Sequence, residues 1–270
     1  MPSRTATPHA LRFAYSTINW GTKPDLAATF KEIRAAGWQA VELFDHPLDW
    51  LGTPAHLTRH LGKLRAATSF GIVDVPSSAE QLTIQKRRIE YAALFGVEMY
   101  GLVGGGRLRT RPPSAEEYKN LAASCEELAK FGKPLGVGVA YHPHTGCTIE
   151  TEAEIDILMN ETQQTLLCLD ASHIGLVGED PVAHLRKYSR RTGYVHLKDW
   201  AAGKFVEMGQ GTIGLDFGAI LGELAAQKFP GWVVIEQSRS DGSPAESAKA
   251  NAKFLKKLGY SIAIAEQDKP

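Results

Sequence analysis

Residues 165–199 read TLLCLDASHIGLVGEDPVAHLRKYSRRTGYVHLKD, and this is the stretch that decides the fold. Two short apolar runs, TLLCLD and GYVHLKD, stand at its ends, and a helical stretch lies between them. Apolar runs of this kind are typical of strands buried on both faces, as they are in a parallel sheet. The stretch therefore predicts a strand, a crossover helix and a second, parallel strand.

The same alternation continues outward on both sides of this unit. Further predicted strands are RFAYSTI at 12–18, AVELF at 40–44, GIVDV at 71–75, MYGLV at 99–103, GVGVAYH at 136–142 and WVVIEQ at 232–237. Eight strand–helix units in order predict an α/β fold, a single (β/α)8 TIM barrel over residues 1–270. A doubly wound open sheet is the alternative. Against it, no GxGxxG opens the first helix, and polar residues end nearly every strand.

Local signals predict where several helices begin and end. The first helix is expected from about Pro24, with Asp25 in its first turn and Gly37 as its stop. Ser114 and Glu117 have the spacing of a capping box, which predicts the start of a later helix.

Composition limits the classes of function. Lys+Arg and Asp+Glu both count 30, so the formal net charge is zero and no nucleic-acid partner is expected. No apolar stretch is long enough to span a bilayer and the first residues lack a secretory signal, so no membrane association is expected. Cys125, Cys147 and Cys168 are scattered, which fits a reducing compartment. We therefore expect a cytoplasmic protein.

Polar side chains collect where the predicted strands end, which is where a (β/α)8 barrel builds its active site. In chain order they are Asn19, Glu42, Asp45, His46, Asp74, Arg107, His142, His144, Asp170, Ser172, His173, His196, Lys198, Asp199, Glu236 and Gln237.

Strands five to eight present one candidate metal ligand each, at equivalent depth: His142, Asp170, His196 and Glu236. These side chains can converge near the barrel axis, and mixed imidazole and carboxylate ligands suit a divalent first-row ion. The expected ion is Mn2+, with Co2+, Fe2+, Zn2+ and Mg2+ as alternatives. Each residue alone has a structural explanation, such as a helix cap or a salt bridge. Whether His142 or His144 faces the metal stays open, because Pro143 makes the local backbone hard to predict.

Five sequence motifs, taken together, carry a family resemblance. They are YHPHTGCTIETEAEIDILM at 141–159, LCLDASH at 167–173, YVHLKDW at 194–200, GQGTIGLDF at 209–217 and WVVIEQ at 232–237. With these motifs the chain resembles the xylose-isomerase-like superfamily of sugar isomerases and epimerases, over nearly its whole length. Within it, the motifs are most similar to the inosose dehydratase branch, and the catalytic subunits of C-glycoside-cleaving enzymes share much of the pattern.

The resemblance implies a function as well as a fold. It implies that the metal is held by His142, Asp170, His196 and Glu236. Most epimerases of the superfamily carry a glutamate on the fifth strand, where this chain has His142, and this departure counts against a proton shuttle between two glutamates. Ser172 replaces the glycine of the family's DTGH motif.

The chemistry expected is metal-assisted proton abstraction beside a carbonyl, followed by loss of a β-oxygen group from an inosose or a 3-keto-glycoside. One acid–base partner would be His144 or His142, and the other Glu236 or Glu42. Substrate oxygens would be held by His173, Lys198, Arg107 and Asn19.

Three other functions stay open at this stage. A sugar epimerase or isomerase would use the same metal site. A metal-dependent endonuclease of the superfamily would need more ligands and a basic face, which the zero net charge argues against. A non-catalytic polyol-binding or partner subunit would not need the metal. Either a homo-oligomer or a second subunit is compatible with the sequence.

Overall fold

A closed parallel barrel forms the centre of the computed structural model, which describes residues 11–108 and 110–264. Its strands are β1 (Arg12–Ser16), β2 (Ala40–Leu43), β3 (Arg65–Val73), β4 (Met99–Gly104), β5 (Gly138–Tyr141), β6 (Leu166–Asp170), β7 (Thr192–Leu197) and β10 (Trp232–Ile235). Two short strands between β7 and β10, β8 (Asp199–Ala201) and β9 (Lys204–Val206), form a separate hairpin. Each strand pairs in parallel with its neighbours, and β1 closes the barrel on β10. The prediction of a (β/α)8 barrel is confirmed, and the open sheet is excluded.

Helices connect the strands around the outside of the barrel. They are α1 (Leu26–Ala35), α2 (Leu48–Leu51), α3 (Pro54–Leu61), α4 (Ala79–Ala93), α5 (Ala115–Gly132), α6 (Glu152–Glu161), α7 (Ala171–Leu176), α8 (Pro181–Lys187), α9 (Phe217–Ala226) and α10 (Pro244–Lys257). Two short 3-10 helices cover Thr17–Trp20 and Lys133–Leu135. Within the described ranges, no helix combines the length and the apolar character that crossing a bilayer requires.

The helix signals of the sequence act as predicted, with one shift. Ser114 Oγ accepts from the Glu117 N–H at 3.2 Å and Glu117 Oε2 accepts from the Ser114 N–H at 2.7 Å, which is a complete capping box. Asp25 is the N-cap of α1, one position before the first turn. Gly37 has a φ of 94° and ends that helix, because an L side chain is strained in this conformation.

The third strand is longer and begins earlier than predicted. It covers Arg65–Val73, whereas the sequence predicted residues 71–75. Small and hydroxylated residues fill its first half, so the apolar run that marks the other strands is missing there. Pairing with β2 on one edge and β4 on the other holds this half in the sheet. Asp74 lies just beyond the strand.

Residues that face the barrel interior form layers stacked along its axis. One buried cluster in the interior includes Ala140, Cys168, Tyr194 and Val234, from β5, β6, β7 and β10. Because side chains alternate across a strand, the residues two positions later face the same interior, one layer closer to the carboxyl ends. Those residues are His142, Asp170, His196 and Glu236. The fold therefore delivers all four candidate ligands to one level of the barrel.

At the opposite end of the barrel, its base, lies an ion-pair cluster. Glu98 accepts from Arg12 and from Arg65, each at 2.8 Å. The Arg12 guanidinium also lies 4.5 Å from the ring centroid of Trp232. This base cluster, defined by Arg12, Arg65, Glu98 and Trp232, closes the amino-terminal end of the barrel.

Candidate metal centre

Four buried side chains converge at the carboxyl end of the barrel. One ligand atom from each of His142, Asp170, His196 and Glu236 lies within 4.8 Å of the others. The sheet determines their relative depth: Asp170 and His196 are paired across β6 and β7. The Glu236 N–H bonds the Leu197 carbonyl at 3.0 Å and the His142 N–H bonds the Leu102 carbonyl at 2.7 Å, so both continue their strands. We call these four residues the ligand cluster.

Asp170 divides its two oxygens between two tasks. It is the N-cap of α7, and its Oδ1 accepts from the backbone N–H groups of Ser172 at 2.8 Å and His173 at 3.3 Å. Oδ2 is buried, accepts from neither of those N–H groups and lies 3.0 Å from the Lys198 ammonium group. Capping a helix and holding a metal ion are therefore compatible, because each uses a different oxygen.

Backbone contacts orient the His142 ring. Its Nδ1 lies 3.3 Å from the Cys168 carbonyl oxygen, which can only accept, so Nδ1 carries the proton. Its Nε2 is then left with a lone pair and lies 3.9 Å from Asp170 Oδ2. Burial, followed by the nearby His196, lowers the pKa of His142 well below its ordinary range. The ring is therefore neutral at pH 7, as a metal ligand must be.

His196 lies between two carboxylates. Its Nε2 is 3.0 Å from Glu42 Oε2, and its Nδ1 is 2.6 Å from Glu236 Oε2. Burial alone would lower the pKa of His196, but the neighbouring Cys168, Glu42 and Glu236 raise it well above its ordinary value. A raised pKa means that the folded protein without metal holds a proton on His196. A divalent cation bound at His196 Nδ1 would take the place of the proton on that nitrogen.

Three buried atoms of the ligand cluster form no aligned hydrogen bond among the residues described: Asp170 Oδ2, His196 Nδ1 and Glu236 Oε2. Lys198 Nζ lies 3.0 Å from the first of them, and the other two lie 2.6 Å apart. Buried polar groups normally have partners, so such atoms call for an explanation. All three face one another, and two imidazole nitrogens with two carboxylate oxygens suit a divalent first-row ion. The residues present therefore fit the predicted metal, although they do not select among the candidate ions.

Glu42 lies behind His196, outside the ligand cluster. It is fully buried, and its Oε2 accepts from Thr68 Oγ1 at 3.0 Å while also contacting His196. A carboxylate on the far nitrogen of a ligating histidine orients that ring and raises its basicity. Glu42 follows Ala40 by two positions on β2, so both side chains face the barrel interior.

Lys198 lies directly beside the ligand cluster and is only 1% exposed. Its Nζ is 2.9 Å from Glu236 Oε1 and 3.0 Å from Asp170 Oδ2. Burial would lower the pKa of Lys198, but Asp170 and Glu236 outweigh it and raise that pKa. Ser238 Oγ donates to the same Glu236 oxygen at 2.7 Å.

Two further histidines lie next to His142, and their rings are 3.7 Å apart between centroids: His144 and His173. His144 Nδ1 lies 2.6 Å from the Thr145 carbonyl oxygen and must donate to it, which leaves the lone pair on Nε2. The Thr145 N–H donates to His173 Nδ1 at 3.5 Å, so His173 carries its proton on Nε2. That nitrogen is buried and unpartnered within residues 11–108 and 110–264, and it is suited to donate to an oxygen of a ligand.

Arg107 and Asn19, predicted to hold substrate, are engaged by other protein groups. Arg107 contacts Glu150 at 3.2 Å, pairs with Glu154 and donates to the Cys147 carbonyl at 3.1 Å. These bonds join the loop after β4 to the loop after β5 and to α6. Asn19 bonds the Ser240 hydroxyl at 3.1 Å. Their roles as substrate ligands stay predictions.

A hairpin that the sequence reading missed lies against the site. Strands β8 (Asp199–Ala201) and β9 (Lys204–Val206) form it, joined by a turn with positive φ at Ala202 and Gly203. A two-residue turn of this kind, flanked by aromatic residues, was the signal available in the sequence. Phe205 on β9 has its ring centroid 4.4 Å from Lys198 Nζ and 5.6 Å from the His173 ring. The hairpin thus adds an apolar wall to a polar site.

The glycine-rich loop at 206–217 is held by Asp199. Its Oδ2 accepts from the N–H groups of Gly209 at 3.0 Å and Gly211 at 2.8 Å. A side chain at Gly211 would overlap the Asp199 carboxylate, so the glycine is required for this close approach. These two N–H groups serve to position the loop.

Comparisons with known proteins agree with this architecture. The chain is 34% identical over 163 residues to an inosose dehydratase of Clostridium tetani, an alignment that covers 52% of this chain and 54% of that protein. The structure of an L-ribulose 3-epimerase superposes with a TM-score of 0.77 at 19% identity, covering 92% of this chain and 94% of that one. The IolI protein with a binding zinc atom gives the same TM-score at 18% identity, covering 92% of this chain and 98% of that one.

The family follows from a match over most of the chain. The chain spans about half the length of the curated relatives it matches. The solved structures are under a quarter identical, so they show the fold alone. A family model described as Xylose isomerase-like TIM barrel, however, matches residues 30–258. The chain therefore belongs to the xylose isomerase-like TIM barrel family, as its strand-end motifs predicted.

Proposed function

We propose that this protein is a divalent-metal-dependent carbon–oxygen lyase that removes a β-oxygen group from a cyclic keto-polyol or keto-sugar. The observation that carries the proposal is the ligand cluster: among the described residues, its atoms Asp170 Oδ2, His196 Nδ1 and Glu236 Oε2 face one another in the barrel interior without aligned hydrogen bonds. The resemblance to curated inosose dehydratases supports the choice of substrate class.

The metal would be held by His142 Nε2, Asp170 Oδ2, His196 Nδ1 and Glu236 Oε2. Bound there, a divalent ion supplies Lewis acidity, which makes the C–H beside a substrate carbonyl more acidic. Mn2+ is the ion we propose, with Zn2+, Co2+, Fe2+ and Mg2+ as alternatives.

His144 is the proton acceptor that the contacts favour. Its Nε2 lone pair is available, since Nδ1 donates to the Thr145 carbonyl, whereas His142 offers its open nitrogen to the ligand cluster. Burial and the charge of Lys198 lower the pKa of His144, so its ring is neutral and can accept a proton at pH 7.

Glu236 is the proposed second acid–base group, and the neighbouring side chains of Lys198 and His173 orient it and the substrate. Glu236 belongs to the ligand cluster, whereas Glu42 lies outside it and is engaged by Thr68 and His196. His173 would donate its free Nε2 proton to a substrate oxygen, and Lys198 would place positive charge beside the oxygen on which negative charge develops. Phe205 would exclude water from that side of the site.

An epimerase is the second candidate, because it would use the same ligand cluster, with Glu236 as an acid–base group. The residue on the fifth strand separates the two proposals. His142 stands where most epimerases of the superfamily carry a second glutamate, so a shuttle between two glutamates would lack one partner. We therefore place the lyase first.

One experiment tests the proposal. Purified protein would be loaded with Mn2+ or Zn2+, analysed for bound metal and incubated with scyllo-inosose or a 3-keto-glucoside while enone absorbance is followed. We expect about one equivalent of metal and a rising enone signal, which Asp170→Asn abolishes and the surface control Asp156→Asn keeps. Bound metal with an epimerised product and no enone would favour the epimerase, and no elimination or epimerisation of any keto-polyol would refute both.

A further inference from the structure

Lys198 competes for one of the atoms that a metal ion would use. It follows β7 directly, and its Nζ lies 3.0 Å from Asp170 Oδ2 and 2.9 Å from Glu236 Oε1. Asp170 Oδ2 is the oxygen that the N–H groups of α7 leave unbonded. The ammonium group and a metal ion would therefore contact the same carboxylate oxygen.

The local charge explains why a cation is built into this position. Glu42, Asp170 and Glu236 are 0%, 1% and 3% exposed, and buried carboxylates are costly unless nearby positive charge compensates them. Lys198 provides such a charge in contact with two of the three. On its other side the Phe205 ring, 4.4 Å from Nζ, adds a cation–π contact and covers the ammonium group. The protein thus holds this ammonium group between carboxylates and an aromatic face.

We propose that Lys198 is a resident counterion that competes with the divalent ion for Asp170 and Glu236, so that metal loading is a cation exchange. This proposal rests on the metal site proposed above. In the metal-free protein, Lys198 stabilises the two carboxylates and keeps the ligand cluster assembled. When the metal binds, two cations share a small buried volume, and their repulsion weakens metal binding relative to the same ligands without the lysine.

A single substitution should therefore have opposite effects on the two states. Lys198→Met removes the charge and keeps much of the side-chain volume. The metal-free variant should unfold at a lower temperature, because the carboxylates of the ligand cluster lose their counterion. Its Mn2+ dissociation constant should fall by roughly tenfold or more, because the repulsion is gone.

The measurement is Mn2+ and Zn2+ affinity by chelator competition, together with thermal unfolding in EDTA and in excess metal. Lys198→Arg retains the charge and should bind metal no more tightly than the wild type. Lys204→Met is the matched control. Lys204 lies at the tip of the hairpin that carries Phe205, outside the ligand cluster, so this variant should leave the metal affinity unchanged. Equal or weaker metal binding by Lys198→Met would overturn the proposal.

A second variant covers the case in which Lys198→Met does not fold without metal. Lys198→Gln retains hydrogen-bond donors to the carboxylates and also removes the charge, so it too should bind Mn2+ more tightly than the wild type. Unchanged or weaker affinity in this variant would also refute the counterion role. Tighter binding by the neutral variants without turnover of any ketone would support that role and refute the lyase proposal instead.

Discussion

The two ends of this barrel carry opposite balances of charge. At the base, Glu98 pairs with two arginines, each at 2.8 Å. At the mouth, three buried carboxylates, Glu42, Asp170 and Glu236, surround Lys198 and His196, and several of their atoms form no aligned hydrogen bond in the described structure. At the base, arginine side chains match the Glu98 carboxylate. The mouth has anionic groups to spare, which is the condition that a cation-binding site requires.

Lowering the pH should destabilise the protein through His46, near the mouth, before it affects Glu98 at the base. Burial lowers the pKa of His46 to about 4, so the folded protein resists protonation there. The unfolded chain takes up that proton below a pH of about 6.5, so the associated stability is present above that pH and is lost as the pH falls toward 4. The expected loss is about 3 kcal/mol in the free energy of unfolding.

This prediction is checked by chemical denaturation in EDTA between pH 7.5 and pH 4. His46→Asn should remove its share of the pH dependence in that window, which His142 and His173 also contribute to because burial lowers their pKa values well below the ordinary range. The more exposed His60→Asn should keep the full pH dependence. At the base, burial would raise the pKa of Glu98, but Arg12 and Arg65 outweigh it and lower that pKa. Its contribution is therefore present above the unfolded value of about 4.5 and disappears only in stronger acid. If the free energy of unfolding depends on pH equally in the wild type and in His46→Asn, His46 does not contribute to the acid sensitivity of the mouth.

Glu42 sharpens the comparison, because it is a mouth carboxylate that contacts a ligand without belonging to the ligand cluster. Glu42→Gln should weaken metal binding by about 10–100-fold, since His196 loses the charge that orients it and raises its basicity. Isothermal titration with Zn2+ would measure the change. Thr68→Val removes only a hydrogen bond to Glu42 and should have a smaller effect. If the Zn2+ dissociation constant of Glu42→Gln is that of the wild type, Glu42 does not act through His196.

The smallest expected effect is at the base. Glu98→Gln removes one carboxylate from two partly exposed ion pairs and should lower the free energy of unfolding by about 1 kcal/mol, with no change in metal affinity. Glu127→Gln, which breaks a more exposed pair with Lys86, is the control and should cost less. A change in metal affinity on Glu98→Gln would mean that the two ends of the barrel are coupled.

The sequence by itself determined the order of the strands and the end of the barrel at which the candidate site residues lie. Apolar runs and capping signals act over a few residues, so the capping box at Ser114 and seven of the eight strands lay where they were expected. Strand alternation likewise carries His142, Asp170, His196 and Glu236 to one level. The start of β3 was placed wrongly because its small residues take their strand conformation from pairing on both edges rather than from their own pattern.

Only the tertiary structure decided how these groups meet. The pairing of His196 with Glu42 joins residues 154 positions apart, and the bond between Asn19 and Ser240 joins residues 221 apart. No local pattern encodes such contacts. The same holds for the nitrogen that each histidine presents, for the engagement of Arg107 by Glu150 and Glu154, and for the position of Lys198 between Asp170 and Glu236. Residue types along the strands supplied the candidate groups, and closure of the barrel, which brings distant strand ends within a few ångströms, determined their partners.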